Sequence, residues 1–201
     1  MRGTYAVLAD DVQMRRTGAD ADEFVELLLA RHRLIMGGRP EKRPGEFKTK
    51  DNRVGETHFV AWQQVEGTLR AGFALRESLD TAWEKAVYTA FVVAEVHPFD
   101  DGNGRAARAM MNAELSAADQ SRIIVPTVFR QDYLDGLRGL SRRGDPSVFI
   151  KAMRYAHDFT HSIDFYDYED AKQRLTLAHA FNEPDSTDRL VVLPRRAAWD
   201  R

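Results

Sequence analysis

Residues 97–108 read HPFDDGNGRAAR and place a histidine, two aspartates, a Gly-Asn-Gly turn and two arginines within twelve positions. Reversing the chain between two helices needs little beyond a cap and a glycine, so the surplus of charge and hydrogen-bond donors points to chemistry. Amides at a glycine-rich turn that runs into a helix N-terminus converge on an anion, and the helix dipole adds positive charge there. Gly102, Asn103 and Gly104 fit that role, with phosphate as the natural guest. Arg105 and Arg108, three residues apart, occupy neighbouring positions of the first helical turn, where two guanidinium forks suit a polyphosphate. A carboxylate beside a polyphosphate is repelled unless a hard cation stands between them, and Mg2+ commonly takes one or two carboxylates together with phosphate oxygens. Asp101, next to the glycine turn, is the candidate ligand. His97, with an ordinary pKa of about 6.5, can take a proton from an incoming hydroxyl at neutral pH. Base, cation and phosphate cradle together describe nucleotidyl or phosphoryl transfer.

Helices must position this stretch. Phe24, Leu27, Leu28, Arg31, Leu34 and Ile35 recur at helical steps behind Asp20, and Gly37-Gly38 end the pattern. After a Pro/Gly-rich segment, Val65, Leu69 and Phe73 predict a second helix, and an apolar stripe from Leu79 through Ala94 predicts a third that delivers His97 at its end. Pro98 then disfavours helical geometry at His97. The next helix should start near Gly104 or Arg105 and run to Ala118. Tyr133, Leu134, Leu137 and Leu140 mark another, and Asp145-Pro146 cap one through Phe159. A final helix is expected over Glu169 to Phe181. Between the first two helices, residues 39–62 alternate and carry two prolines and two glycines, which predicts a β-hairpin lying over the domain as a flap. The fold class is mainly α with one small β element.

The domain expectation is a lead-in over 1–19, one domain over 20–165 with its flap at about 45–60, and a C-terminal helix and loose tail over 166–201. The chain of 201 residues can bury a core without staples, and having no cysteine it has neither disulfides nor thiolate metal sites. Twenty-nine basic and thirty-one acidic side chains are interspersed, which speaks against nucleic acid as a partner and against a helix-turn-helix role for residues 80–118. No apolar run approaches the ~20 residues of a membrane span. A soluble cytoplasmic protein is expected, with delivery as a secreted effector left open. The remaining histidines, His32, His58, His157, His161 and His179, show no metal-ligand spacing, and His157 with His161 reads as a surface pair.

The stretch His97-Pro98-Phe99-Asp100-Asp101-Gly102-Asn103-Gly104-Arg105-Ala106-Ala107-Arg108 resembles the Fic domain signature HxFx(D/E)GNGRxxR at every fixed position. PGEFKT before it, and RIIVP and DYLDGL after it, extend the resemblance over roughly residues 24 to 165. The resemblance implies a Fic-type helical bundle with a hairpin flap over the active site. It also implies a protein adenylyltransferase that moves AMP from ATP to a Ser, Thr or Tyr hydroxyl of a target protein and releases diphosphate, with Mg2+ as cofactor. Carried over, His97 would be the general base and Asp101 the Mg2+ ligand. Gly102, Asn103 and Gly104 would hold the α-phosphate, Arg105 and Arg108 the β- and γ-phosphates, and Phe99 would anchor the loop in the core.

The flap of the family aligns the target by main-chain pairing, which assigns target contacts here to Lys48, Thr49, Val54 and Gly55 and an adenine pocket to Tyr133. Lys48 stands where arginine is usual, and Ala61-Trp62 where two prolines are frequent. Many relatives carry an inhibitory (S/T)xxxE(G/N) helix whose glutamate pairs with the second motif arginine. No Ser or Thr here is followed four positions later by Glu, so inhibition of that kind is either absent, supplied by a separate, antitoxin-like polypeptide, or encoded in a segment outside this sequence. The alternatives to AMP transfer are transfer of another nucleotide or phosphoryl group by the same loop, and a regulatory module that holds a nucleotide without turnover.

Overall fold

The computed structural model describes residues 2–194, which are mainly helical, with one small hairpin and irregular segments between the elements. Met1 and residues 195–201, the ends of the expected lead-in and tail, lie outside the described residues. The chain divides into two compact units, Met1–Gln120 and Ser121–Arg201.

The first unit contains α1 (Arg2–Ala9), α2 (Asp11–Met14), α3 (Ala21–Met36), the antiparallel strands β1 (Arg53–Val54) and β2 (Thr57–His58), α4 (Val65–Glu77), α5 (Ala82–Val96) and α6 (Asn103–Ala117). α3 starts where the acidic cap predicts, with Asp20 accepting from the Glu23 N–H at 2.9 Å. The apolar stripe read from Leu79 begins three residues later, because Thr81 and Glu84 form a reciprocal capping box that sets the first turn at Ala82. α5 and α6 share the most extensive helix contact, and both bury alanines, Ala86 and Ala90 on one and Ala106 and Ala113 on the other. α4 approaches α5 closely at Gly72, where a Cβ would lie 2.6 Å from Val92 Cγ1.

Within the expected lead-in, the described residues 2–19 carry two short helices. α1 and α2 bury Val7 and Met14 in the core of this unit. The buried Arg31 of α3 donates to Gln13 O and Arg16 O, both at 2.7 Å, and so satisfies carbonyls at the end of α2. Helices of eight and four residues are too short to hold themselves; their order comes from the surface they cover.

The second unit contains α7 (Arg130–Arg143), α8 (Ser147–His161) and α9 (Tyr168–Leu177). Pro146 is the cap of α8 rather than its first residue, and Asp145 ahead of it accepts from the Ser147 N–H at 2.9 Å. α9 stops at Leu177 rather than Phe181, and His179 turns left-handed with φ +61°. The tail after Asn182 is not loose up to residue 194: Leu190 is buried, the Tyr155 hydroxyl donates to Leu190 O at 2.6 Å, and Arg174 Nη2 donates to Pro194 O at 2.7 Å. Among the described residues no helix is long and apolar enough to cross a membrane.

One buried ion pair joins α4 to α6: Arg76 Nε reaches Glu114 Oε1 at 2.8 Å and Nη2 reaches Oε2 at 2.6 Å. Burial pushes the Glu114 carboxyl up, against the lowering pull of Arg76. A guanidinium cannot discard its charge, so Glu114→Gln strands a buried cation whose remaining carboxylate contact is to the half-exposed Glu77. Glu114→Gln should lower the unfolding free energy by about 3 kcal/mol or more. Arg76→Met should cost less, because the Glu114 carboxyl can take a proton; denaturant melts of both variants check that order.

Candidate active site

α5 ends at His97, which adopts a left-handed conformation with φ +48° and ψ +58° as its N–H donates to Val93 O at 3.2 Å. The proline that follows excludes the helical alternative. The imidazole Nδ1 donates to Ala94 O at 3.3 Å, and the Phe59 ring stacks on it with centroids 3.8 Å apart and planes 12° apart. With Nδ1 carrying the proton, Nε2 is the acceptor. Burial pushes the His97 pKa down to about 4; the Ala94 carbonyl and Asp101 oppose this and the Lys48 charge adds to it. The imidazole is therefore neutral and able to accept a proton at neutral pH.

Phe99 is fully buried. Asn103 grips its backbone from the first turn of α6: Oδ1 accepts from the Phe99 N–H and Nδ2 donates to Phe99 O, both at 2.8 Å. Asn103 is thus committed to the loop through its side chain, and only its backbone N–H remains for an anion. Gly102, the cap of α6, has φ +82°, and a Cβ there would meet Met36 Sδ at 2.8 Å and His32 Nε2 at 3.1 Å. Both the left-handed backbone and the space demand glycine.

Asp101 Oδ1 accepts from the Gly102 N–H at 2.5 Å, and the N–H groups of Asn103 and Gly104 are open at the first turn of α6. The Arg108 guanidinium folds back over them, since a Cβ on Gly104 would lie 3.4 Å from Arg108 Nη1. Among the described residues the Arg108 side chain has neither a hydrogen bond nor an ion pair. Arg105 Nη2 lies 3.1 Å from Met36 Sδ and 3.7 Å from Asp101 Oδ1. The open amides at the start of α6 thus lie beside the Arg108 guanidinium, donors of the kind that suit a di- or triphosphate.

Asp101 Oδ2 is held by Arg39 Nη1 at 2.5 Å. Burial would raise this carboxyl, but the Gly102 N–H and the charges of Arg39, Arg105 and Lys42 outweigh it and hold it below the usual carboxylate range. Among the described residues no cluster of three His, Asp or Glu side chains could ligate a metal on its own. An ionised, half-exposed carboxylate beside a phosphate cradle fits an Mg2+ ion that arrives with its nucleotide and keeps phosphate and water ligands.

The flap residues separate. Thr49 is exposed, Val54 is 60% exposed and Gly55 turns the hairpin with φ +57°, so all three can meet another chain. Lys48, expected beside them, is 2% exposed; Nζ donates to Asn52 Oδ1 at 2.7 Å and Val96 O at 3.3 Å, which removes it from any target. Tyr133, expected to line an adenine pocket, is 3% exposed in the second unit and packs on Phe149 with ring centroids 5.9 Å apart, a core position.

Four residues at this site carry no sign in the motif. His32 stacks on Phe99 at 3.6 Å; its Nδ1 accepts from the Gly45 N–H at 3.0 Å and its Nε2 donates to Asp101 O at 2.9 Å. Its place on the apolar face of α3, four residues after Leu28, was the available clue. Asn52, Phe59 and Arg39 reach the loop from 38 to 62 residues away in sequence, and local pattern carries no such information.

Residues 23–115 match the family model described as Fic/DOC family. Proteins named protein adenylyltransferase Fic are similar: that of Drosophila willistoni is 26% identical over 93% of this chain and 39% of its own length, and that of Culex quinquefasciatus 28% identical over 80% and 33%. The chain therefore spans well under half the length of these relatives. In fold it is similar to a Fic-1 fragment from C. elegans, with a TM-score of 0.63 at 22% identity over 78% of this chain and 47% of that one. A Fic domain containing signaling protein from Bacteroides thetaiotaomicron gives a TM-score of 0.61 at 15% identity over 88% and 70%. The segment that matches the Fic/DOC family model runs from α3 through the hairpin and α5 to α6 and includes the whole His97–Arg108 turn.

Proposed function

We propose that this protein is a protein adenylyltransferase that transfers AMP from ATP to a Ser, Thr or Tyr hydroxyl of a target protein, with the catalytic domain extending over residues 20–165. The observation that carries the reading is the neutral His97 ring, tied at Nδ1 and presenting Nε2, on the same loop as the amides of Asn103 and Gly104 and the guanidinium of Arg108. The name shared by the relatives from flies and mosquito supports it. His97 Nε2 takes the proton of the incoming hydroxyl as its oxygen bonds to the α-phosphorus. The bond from that phosphorus to the bridging oxygen breaks, and diphosphate leaves. The amides of Asn103 and Gly104 face the charge that grows on the α-phosphate oxygens, and Arg105 and Arg108 hold the β- and γ-phosphates. Asp101 would hold Mg2+, which screens the phosphate charges and steadies the leaving diphosphate. Asn103 acts through Phe99, keeping the loop in shape. Thr49, Val54 and Gly55 are the proposed target contacts, and a separate inhibitory polypeptide is the proposed brake on Arg108.

With α-labelled ATP and Mg2+, label should enter protein from the wild type and not from His97→Ala, which should still bind ATP nearly as well because the base acts on the hydroxyl. Label arriving only from the γ position would replace AMP transfer by phosphorylation, and none from either would leave a nucleotide-binding module.

The pH dependence follows from the lowered His97 pKa. The base form persists in the free enzyme down to about 4, so kcat/KM should stay level from pH 7.5 to 5.5, where an ordinary imidazole would already have lost about tenfold. The unfolded chain takes up these protons near pH 6.5 while buried His32 and His97 resist them, so stability is full above that pH and declines below it. Circular dichroism at each pH separates the two effects.

Arg108→Ala should weaken ATP binding by about ten- to a hundredfold, the loss of a charge-assisted contact worth roughly 1.5–3 kcal/mol. ADP binding should change much less, since the phosphate that Arg108 holds is then missing; calorimetric titration with both nucleotides decides it.

A further inference from the structure

Four consecutive carbonyls, from Val96 to Phe99, accept hydrogen bonds from two residues of the flap limb. Lys48 Nζ donates to Val96 O at 3.3 Å, Asn52 Nδ2 to His97 O at 3.2 Å, the Lys48 N–H to Pro98 O at 2.8 Å, and Asn52 Nδ2 to Phe99 O at 3.1 Å. Lys48 Nζ also donates to Asn52 Oδ1 at 2.7 Å, which orients the amide so that both its N–H groups face the loop. These carbonyls lie at and beyond the end of a helix, where intrahelical partners run out. They also flank a left-handed histidine, a conformation that a residue with a Cβ leaves unless its surroundings hold it there.

The side-chain chemistry matches the task. Only an amide offers two donors toward the loop and an acceptor behind them, and an ammonium can reach the amide oxygen and a carbonyl at once. Lys48 is 2% exposed and Asn52 only partly accessible, so neither faces a target. From the other limb of the flap Phe59 covers the imidazole face, so ring and backbone of His97 are both held by residues outside the motif.

We propose that Lys48 and Asn52 are positioning residues for His97, locking the turn that aims Nε2 at the incoming hydroxyl and joining the limb that leads into the β1–β2 hairpin to the base as one hydrogen-bonded body. The inference rests on the reading of His97 as general base. Its consequence is that a displacement of residues 48–52 displaces the base as well.

The decisive variant is Asn52→Asp, which keeps size and shape but turns acceptors toward two carbonyls. Imidazole ¹⁵N spectra of the nucleotide-free protein should show His97 with its proton on Nδ1 in the wild type. In Asn52→Asp they should show a shifted, exchange-averaged pattern, with the His157 and His161 signals unchanged as an internal control. In the transfer assay kcat should fall about a hundredfold, the effect of misplacing a reacting group by about an ångström, while KM for ATP stays within about threefold. If Asn52→Asp does not fold, Lys48→Met carries the same spectral test, with Lys48→Arg expected to restore the wild-type pattern. An unchanged His97 pattern in the folded variant overturns the proposal whatever the activity. If the wild type transfers no AMP, the functional reading fails while the spectra still decide whether these two residues position His97.

Discussion

Asn103 commits both ends of its side-chain amide to the two backbone groups of one residue, Phe99. That reciprocal pair closes the turn between α5 and α6, and the geometry of the site follows from it. It fixes the four-residue reach between the buried Phe99 ring and the first turn of α6. The polar residues between them, Asp100 to Gly102, then have one path available. The path is possible only because the chain is left-handed at both ends, at His97 and at Gly102. A side chain at Gly102 would collide with Met36 and His32, so α3 shapes the turn from outside as much as Asn103 does from within. The motif is one strained loop with its strain balanced by hydrogen bonds, and Asn103, Asp101 and Gly102 both shape it and belong to the groups it displays.

The electrostatics of the site divide in two. Groups that hold the loop are neutral or matched: His32 is buried with both nitrogens in hydrogen bonds, and burial keeps its pKa down. Groups that display chemistry keep an excess of positive charge, with Arg39, Lys42, Arg105 and Arg108 surrounding Asp101 and the open amides. A polyanion entering such a place meets donors already oriented, which is where electrostatic preorganisation is strongest. His97 remains uncharged in that cationic setting, so it can accept a proton when the hydroxyl loses one.

The hairpin illustrates how little secondary structure a functional element requires. Two strands of two residues cannot hold themselves in water. The segment is ordered at its base, where Gly45 meets His32, Lys48 and Asn52 meet the motif loop, and Phe59 meets His97. Its tip, Val54 and Gly55, stays exposed, and an exposed edge of a small sheet is the part suited to pairing with another chain.

The sequence by itself determined the helices with strong apolar period, the small hairpin, and the motif with its turn, because these depend on residues close together in the chain. Proline after His97, the glycine at 102 and the acidic cap of α3 act through local sterics and local hydrogen bonds, so their effects are legible in order. Tertiary structure decided the rest. It ordered α1 and α2 by burying Val7 and Met14, held the tail through Tyr155 and Arg174, took Lys48 out of the flap surface and made Tyr133 a core ring. It also supplied Asn52, Phe59, His32 and Arg39 to the site. Each of these outcomes depends on a contact between residues far apart in the chain, whose energy appears only when packing has removed both partners from water, and a periodicity read along the chain contains no record of it.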